Sequence, residues 1–139
     1  MEVMKTRPKL VSFRVTQFQG ENSAIPSGVD LLLETKQTIE VGLGSSAAAE
    51  KRVQAMVKIE LESVVKNKTS DQLATTFKGT YEGKFDYLVE VTEESIGEQF
   101  EQEAYQYSLV SQVFPLAMTH FRRELQSFGI DARGLGLGI

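Results

Sequence analysis

The 139-residue sequence contains no cysteine. Disulfides, thiolate nucleophiles and cysteine metal sites are therefore excluded. Histidine is nearly absent too, with His120 the single example. A metal site needs several converging ligands. At helical spacing from His120 stand Ala117, Arg123 and Glu124, of which Glu124 is a possible neighbour, so the pair reads as a surface contact on a partly solvated helix. The serines have no nucleophile-elbow motif and no histidine to activate them. Gly134, Gly136 and Gly138 alternate with Leu135, Leu137 and Ile139. That is not the dinucleotide fingerprint, which has different spacing and lies between a strand and a helix. The carboxylates Glu93, Glu94, Glu98, Glu101 and Glu103 sit among polar residues and read as a solvated face. No catalytic residue, no cofactor and no metal set emerges, so a non-enzyme is expected. No apolar run approaches the roughly 20 residues that span a bilayer. The first ten residues, MEVMKTRPKL, lack the apolar core of an export signal. A cytoplasmic protein without direct membrane insertion is the expectation. Basic residues are outnumbered, 15 Lys and Arg against 19 Asp and Glu, which argues against nucleic-acid binding.

What is present is an ordinary globular composition, 41% hydrophobic and 24% charged, over a length suited to one domain across 1–139. Residues 1–9 read as a flexible arm and 130–139 as a glycine-rich tail, mobile or docked. Between them the dominant signal is period-two alternation, which gives a strand one apolar and one polar face. It is clearest over 77–91, where Phe77, Gly79, Tyr81, Gly83, Phe85, Tyr87, Val89 and Val91 share one parity and charged residues fill the other. Its economical partner is 53–65, with Val53, Ala55, Val57, Ile59, Leu61 and Val65 on one parity, joined through a polar connection at 67–74. Residues 10–18 form a further strand, with Val11, Phe13 and Val15 on one face. Residues 19–30, rich in glycine, serine and proline, form a crossover loop on the surface. After the short apolar run 31–33, alternation over 36–43 predicts another strand.

From about Glu98 the period changes to three and four: Val110, Val113, Phe114, Ala117, Phe121, Leu125 and Phe128 recur on one helical stripe. Thr92-Glu93-Glu94-Ser95 suits a helix start, while Gly97 speaks against one continuous helix from that point. Gly129 fits as the C-terminal stop, and Arg122 and Arg123 in the last turns suit the helix dipole. Pro115 should kink this helix. The fold class is thus α+β: a four-stranded antiparallel sheet covered by a long kinked C-terminal helix. A single helix covers only part of such a sheet. Surplus apolar surface usually serves subunit contact or the binding of another chain.

Three places in this layout resemble the SecB-type protein-export chaperones. Phe13-Arg14-Val15 before a long crossover resembles that family's first strand. Tyr81-Glu82-Gly83-Lys84-Phe85 resembles the G-x-F signature of its fourth strand. Val113-Phe114-Pro115-Leu116-Ala117 resembles the L-F-P-Y-A motif of its long helix. The likeness runs from Leu10 to Gly129 and makes Tyr81, Gly83, Phe85, Phe114 and Pro115 structural motif residues. It implies an ATP-independent holdase that forms homo-oligomers, dimers or tetramers, and keeps unfolded or nascent polypeptide in apolar grooves. The groove candidates it implies are Ile25, Leu31, Leu33, Ile39, Val41 and Leu43, aliphatic here where the family is aromatic. It also implies service in protein export or to a dedicated client such as an antitoxin. Asn22 and Lys78 stand where the family docks SecA through acidic residues, which argues against that docking. The family's second helix has no counterpart up to Ile139, so part of the groove wall is expected to be absent. The competing expectation is an oligomeric assembly module with the same fold that has lost client binding. A third is a small-ligand protein or enzyme with a cavity between sheet and helix, for which no residues can be named.

Overall fold

A computed structural model of the chain describes residues 7–21, 31–45, 52–68 and 73–138. Four strands, β1 (Lys9–Gln19), β2 (Leu31–Ser45), β3 (Val53–Asn67) and β4 (Leu73–Asp86), precede two helices, α1 (Glu93–Phe100) and α2 (Glu103–Ser127). The sheet order is β1-β4-β3-β2, and every neighbouring pair is antiparallel. The expected hairpin is the β3–β4 pair, with Ile59 opposite Tyr81 and Ala55 opposite Phe85. β1 and β2 lie on opposite edges of the sheet, so they are not joined as a hairpin, as the length between them suggested. The connection over 22–30 lies outside the described residues.

Three sequence expectations need correction. Alternation through Val91 overstated the last strand, because pairing ends at Asp86. Tyr87 and Val91 still face the core, while Val89 is exposed. Parity alone cannot see where ladder partners run out. In β1, register shifts fall between Leu10 and Ser12 and between Val15 and Gln17. An extra residue in a strand reverses the parity beyond it, so Leu10, Phe13 and Phe18 pack on the core while Val11 is exposed. The long C-terminal helix is α2, and a short helix, α1, precedes it. Helix α1 opens on a capping box, in which Thr92 Oγ1 accepts from Ser95 N and Ser95 Oγ accepts from Thr92 N. It runs through Gly97, and the break comes at Glu101–Gln102. The run 31–33 and the strand 36–43 are one continuous β2.

Helix α2 continues through Pro115 and ends where Gly129 adopts a positive φ of 86°. Gly129 N donates to Gln126 O and Ile130 N to Leu125 O, the paired bonds of a Schellman stop. Ile130 and Leu125 are both buried, as that motif's apolar contact requires. The tail therefore starts docked, with Ala132 also buried and Leu135 packed against the core.

On the helix side, β4 alternates aromatic rings with glycine, and the reason is space. A Cβ on Gly79 would collide with the Tyr81 ring. A Cβ on Gly83 would stand 2.6 Å from Val113, so this glycine lets α2 approach the sheet. Phe77, Tyr81 and Phe85 are fully buried against Ile59, Leu61 and the α2 stripe. The opposite face carries alternating charge in register. Glu40, Lys58, Glu82 and Arg14 form one row across all four strands. Arg14 pairs with Glu82 at 2.9 Å and Lys78 with Glu60 at 2.6 Å. Lys78, both by its hydrogen bond and by its charge, holds the Glu60 carboxyl below its ordinary range. Such exposed pairs add little stability. They keep this face polar, so the apolar business of the sheet lies on the helix side.

Candidate functional site

The helix layer is unevenly placed. Helix α2 packs on β3, β4 and β1, and α1 packs on α2 and β2. Ser45 Oγ, at the end of β2, donates to Glu93 Oε1 at 2.7 Å and fixes α1 over that end. The rest of β2 carries no helix of its own. Its inward residues are set by the pairing: Leu33 opposite Val65, Ile39 opposite Ile59, Val41 opposite Val57 and Leu43 opposite Ala55. Every β3 partner in that row is buried, while Leu31, Leu33, Ile39, Val41 and Leu43 are half-buried and pack on the core from one side only. This half-covered inward face of β2, beside the buried row of β3 on which α2 packs, is called the trough below. Five of the six groove candidates fall on it. Ile25 lies outside the described residues.

Between the two apolar stretches stand Thr35 and Gln37, both exposed on the same inward face. Thr35 Oγ1 and Ser63 Oγ share a hydrogen bond of 2.6 Å, which satisfies the fully buried Ser63. Sequence reasoning missed this polar interval, although the parity of Thr35 and Gln37 was open to view. It also read Arg122 only as a dipole partner. In the fold Arg122 is half-buried, and its Nε is a buried donor without a hydrogen-bond partner among the described residues.

His120 is on the other flank of α2. Its Nδ1 is 3.0 Å from the Tyr81 hydroxyl and its Nε2 is 3.4 Å from Glu124. Its ring meets Phe18 edge-on at 5.9 Å. The surface contact with Glu124 was foreseen; the bond to Tyr81 was not, because sequence spacing says nothing of contacts between helix and sheet. Burial foremost, then the Glu124 charge, pushes the Tyr81 hydroxyl well above its ordinary value, so it stays protonated. The same holds at Tyr87, which burial and its bond to Tyr105 keep neutral. These groups pin helix to sheet. Among the described residues no group of three or more histidine or acidic side chains could hold a metal ion.

Of the motif residues, Tyr81 and Phe85 lie in the core, Gly83 lies under Val113, Phe114 is buried and Pro115 is half-buried in α2. No helix among the described residues is long and apolar enough to cross a membrane.

No protein-family model matches the sequence. No curated protein matches it either. The fold does match a solved structure, the Mycobacterium tuberculosis Rv1957 SecB-like chaperone in complex with a ChAD peptide from the Rv1956 HigA1 antitoxin. The TM-score is 0.63 at 16% identity, over 94% of this chain and 89% of that one. The chain therefore has the SecB-like fold, as the three sequence motifs implied.

Proposed function

We infer that the protein is an ATP-independent chaperone that holds non-native polypeptide in the trough along β2. One observation carries this reading: a 15-residue edge strand whose inward face is aliphatic and only half covered. An extended chain laid there would bury its own apolar side chains on Leu31, Leu33, Ile39, Val41 and Leu43. Its backbone would find the unpaired edge of β2 alongside. The chaperone fold of the M. tuberculosis protein, seen with a peptide bound, supports the reading. The function needs no catalytic residue, cofactor or nucleotide, and the protein acts without chemistry on its client. Service in export, or to one dedicated client, is a narrower form of the same reading. The lysine at position 78, tied to Glu60, speaks for a route other than acidic SecA docking.

Association of copies belongs to this reading. Val15 and Leu116 are exposed, and helical spacing puts Leu116 on the β1 flank of α2, level with Phe13 and Val15. That apolar patch is separate from the β2 trough and suits a second copy of the chain. The test is direct. Purified protein is added without ATP to a chemically unfolded client on dilution. Suppressed aggregation at near-stoichiometric ratio is expected; unchanged aggregation at tenfold excess, with no binding of an apolar peptide, would sink the proposal.

A further inference from the structure

Arg122 stands two residues beyond His120, about 200° further around α2. His120 faces β1 and β4 through Phe18 and Tyr81, so Arg122 lies on the flank turned toward β3 and β2. Its height along the sheet follows from fixed points. Val113 lies over Gly83, and Phe128 meets Phe77 with ring centroids 5.2 Å apart. Helix α2 thus runs along β4 in the opposite sense. From Val113 to Arg122 the helix climbs about 13.5 Å, the length of about four strand residues. Arg122 is therefore level with Gly79, and the row across the sheet from Gly79 is Leu61, then Gln37. This is the polar interval of the trough, with Thr35 one step further along the same face.

A buried guanidinium Nε without an acceptor is costly, and here it has none among the described residues. Glu124, two residues on, is engaged with His120 on the far flank. The guanidinium fork matches a carboxylate better than any other side-chain group, and best where water is excluded. We propose that Arg122 is the specificity determinant of the trough, receiving an acidic side chain of the client at the polar interval of Thr35 and Gln37. The preferred client segment then has a stated chemistry: two apolar stretches separated by a single Asp or Glu. Leu31 and Leu33 would take one stretch, and Ile39, Val41 and Leu43 the other. The proposal rests on the client-holding reading and adds what the client must carry.

Three fluorescent peptides of identical apolar flanks, with a central Glu, Gln or Lys, separate the two. Anisotropy titration of the full-length protein is expected to show the Glu peptide bound about tenfold tighter than the Gln peptide, with Lys weakest. Arg122→Gln should erase that preference and leave the Gln peptide bound as by the unaltered protein. Equal affinity for Glu and Gln peptides would overturn the role of Arg122 while leaving client holding intact. Failure of all three peptides to bind would overturn both. The series in the unaltered protein decides the matter even if the variant folds poorly. Light scattering adds a control: an altered assembly mass in a folded Arg122→Gln protein would assign the arginine to a contact between copies and overturn the proposal.

Discussion

The two edges of the sheet are built on opposite plans. β1 is bulged twice, and two of its inward residues are aromatic rings that pack on rings of β4 and α2. Phe13 stacks on Tyr81 at 6.0 Å, and Phe18 sits among Phe77, Phe121 and Phe128. β2 pairs with β3 without a single register shift over its whole length, and its apolar inward residues are aliphatic. Bulges distort an edge and spoil it as a template for another strand; a long regular edge invites one. The lesson is that apolar surface at an edge has different meanings according to what covers it. At β1 the rings of β4 and of α2 already hold Phe13 and Phe18. At β2 the helix stands too far toward β1 to claim the apolar residues.

Breaking that contrast gives graded expectations. The largest effect should come from Val41→Asp, which puts a charge in the trough. Client affinity should fall tenfold or more in a peptide titration, because a desolvated carboxylate has no partner there. The matching change at the other edge, Val15→Asp, should leave peptide affinity within about twofold and instead reduce the assembly mass by light scattering. Next is Gly83→Val, which fills the space that lets α2 approach β4. Thermal melting should show a loss of about 1–3 kcal/mol, the usual cost of overpacking. Tyr81→Phe removes the hydroxyl that meets His120 Nδ1. It should cost about 1 kcal/mol and change peptide binding little. The smallest effect is Lys78→Ala on the charged face. The thermal melting curve should be nearly unchanged, since exposed pairs contribute little.

Sequence alone delivered the strands, the faces of β2, β3 and β4 and the α+β order, because period two and period three-to-four are direct prints of burial. It located the aliphatic residues of the trough only by way of family likeness. Leu33 or Val41 looks the same in a sequence whether fully or half buried. What separates them is where α2 lies, and that is set by Gly83 under Val113 and by the rings of Phe18 and Phe128. The bulges of β1 were invisible for a related reason. Val11 keeps the parity of Phe13, and only the pairing with β4 shows that a residue has been inserted. Arg122 was hidden more deeply, since two adjacent arginines at a helix end have a sufficient explanation in the helix dipole. The tail was half legible. Gly129 marked the stop, but the burial of Ile130 and Ala132 depends on the Schellman turn that follows it.

The central claim is that the β2 side of the molecule, and not the β1 side, receives an extended polypeptide. Amide hydrogen exchange with and without a bound unfolded client reads both edges at once. The account predicts added protection along Leu31–Ser45 and on the facing flank of α2, with β1 amides unchanged by client. Protection confined to Lys9–Gln19, or no change at either edge while the client is demonstrably bound, would contradict it.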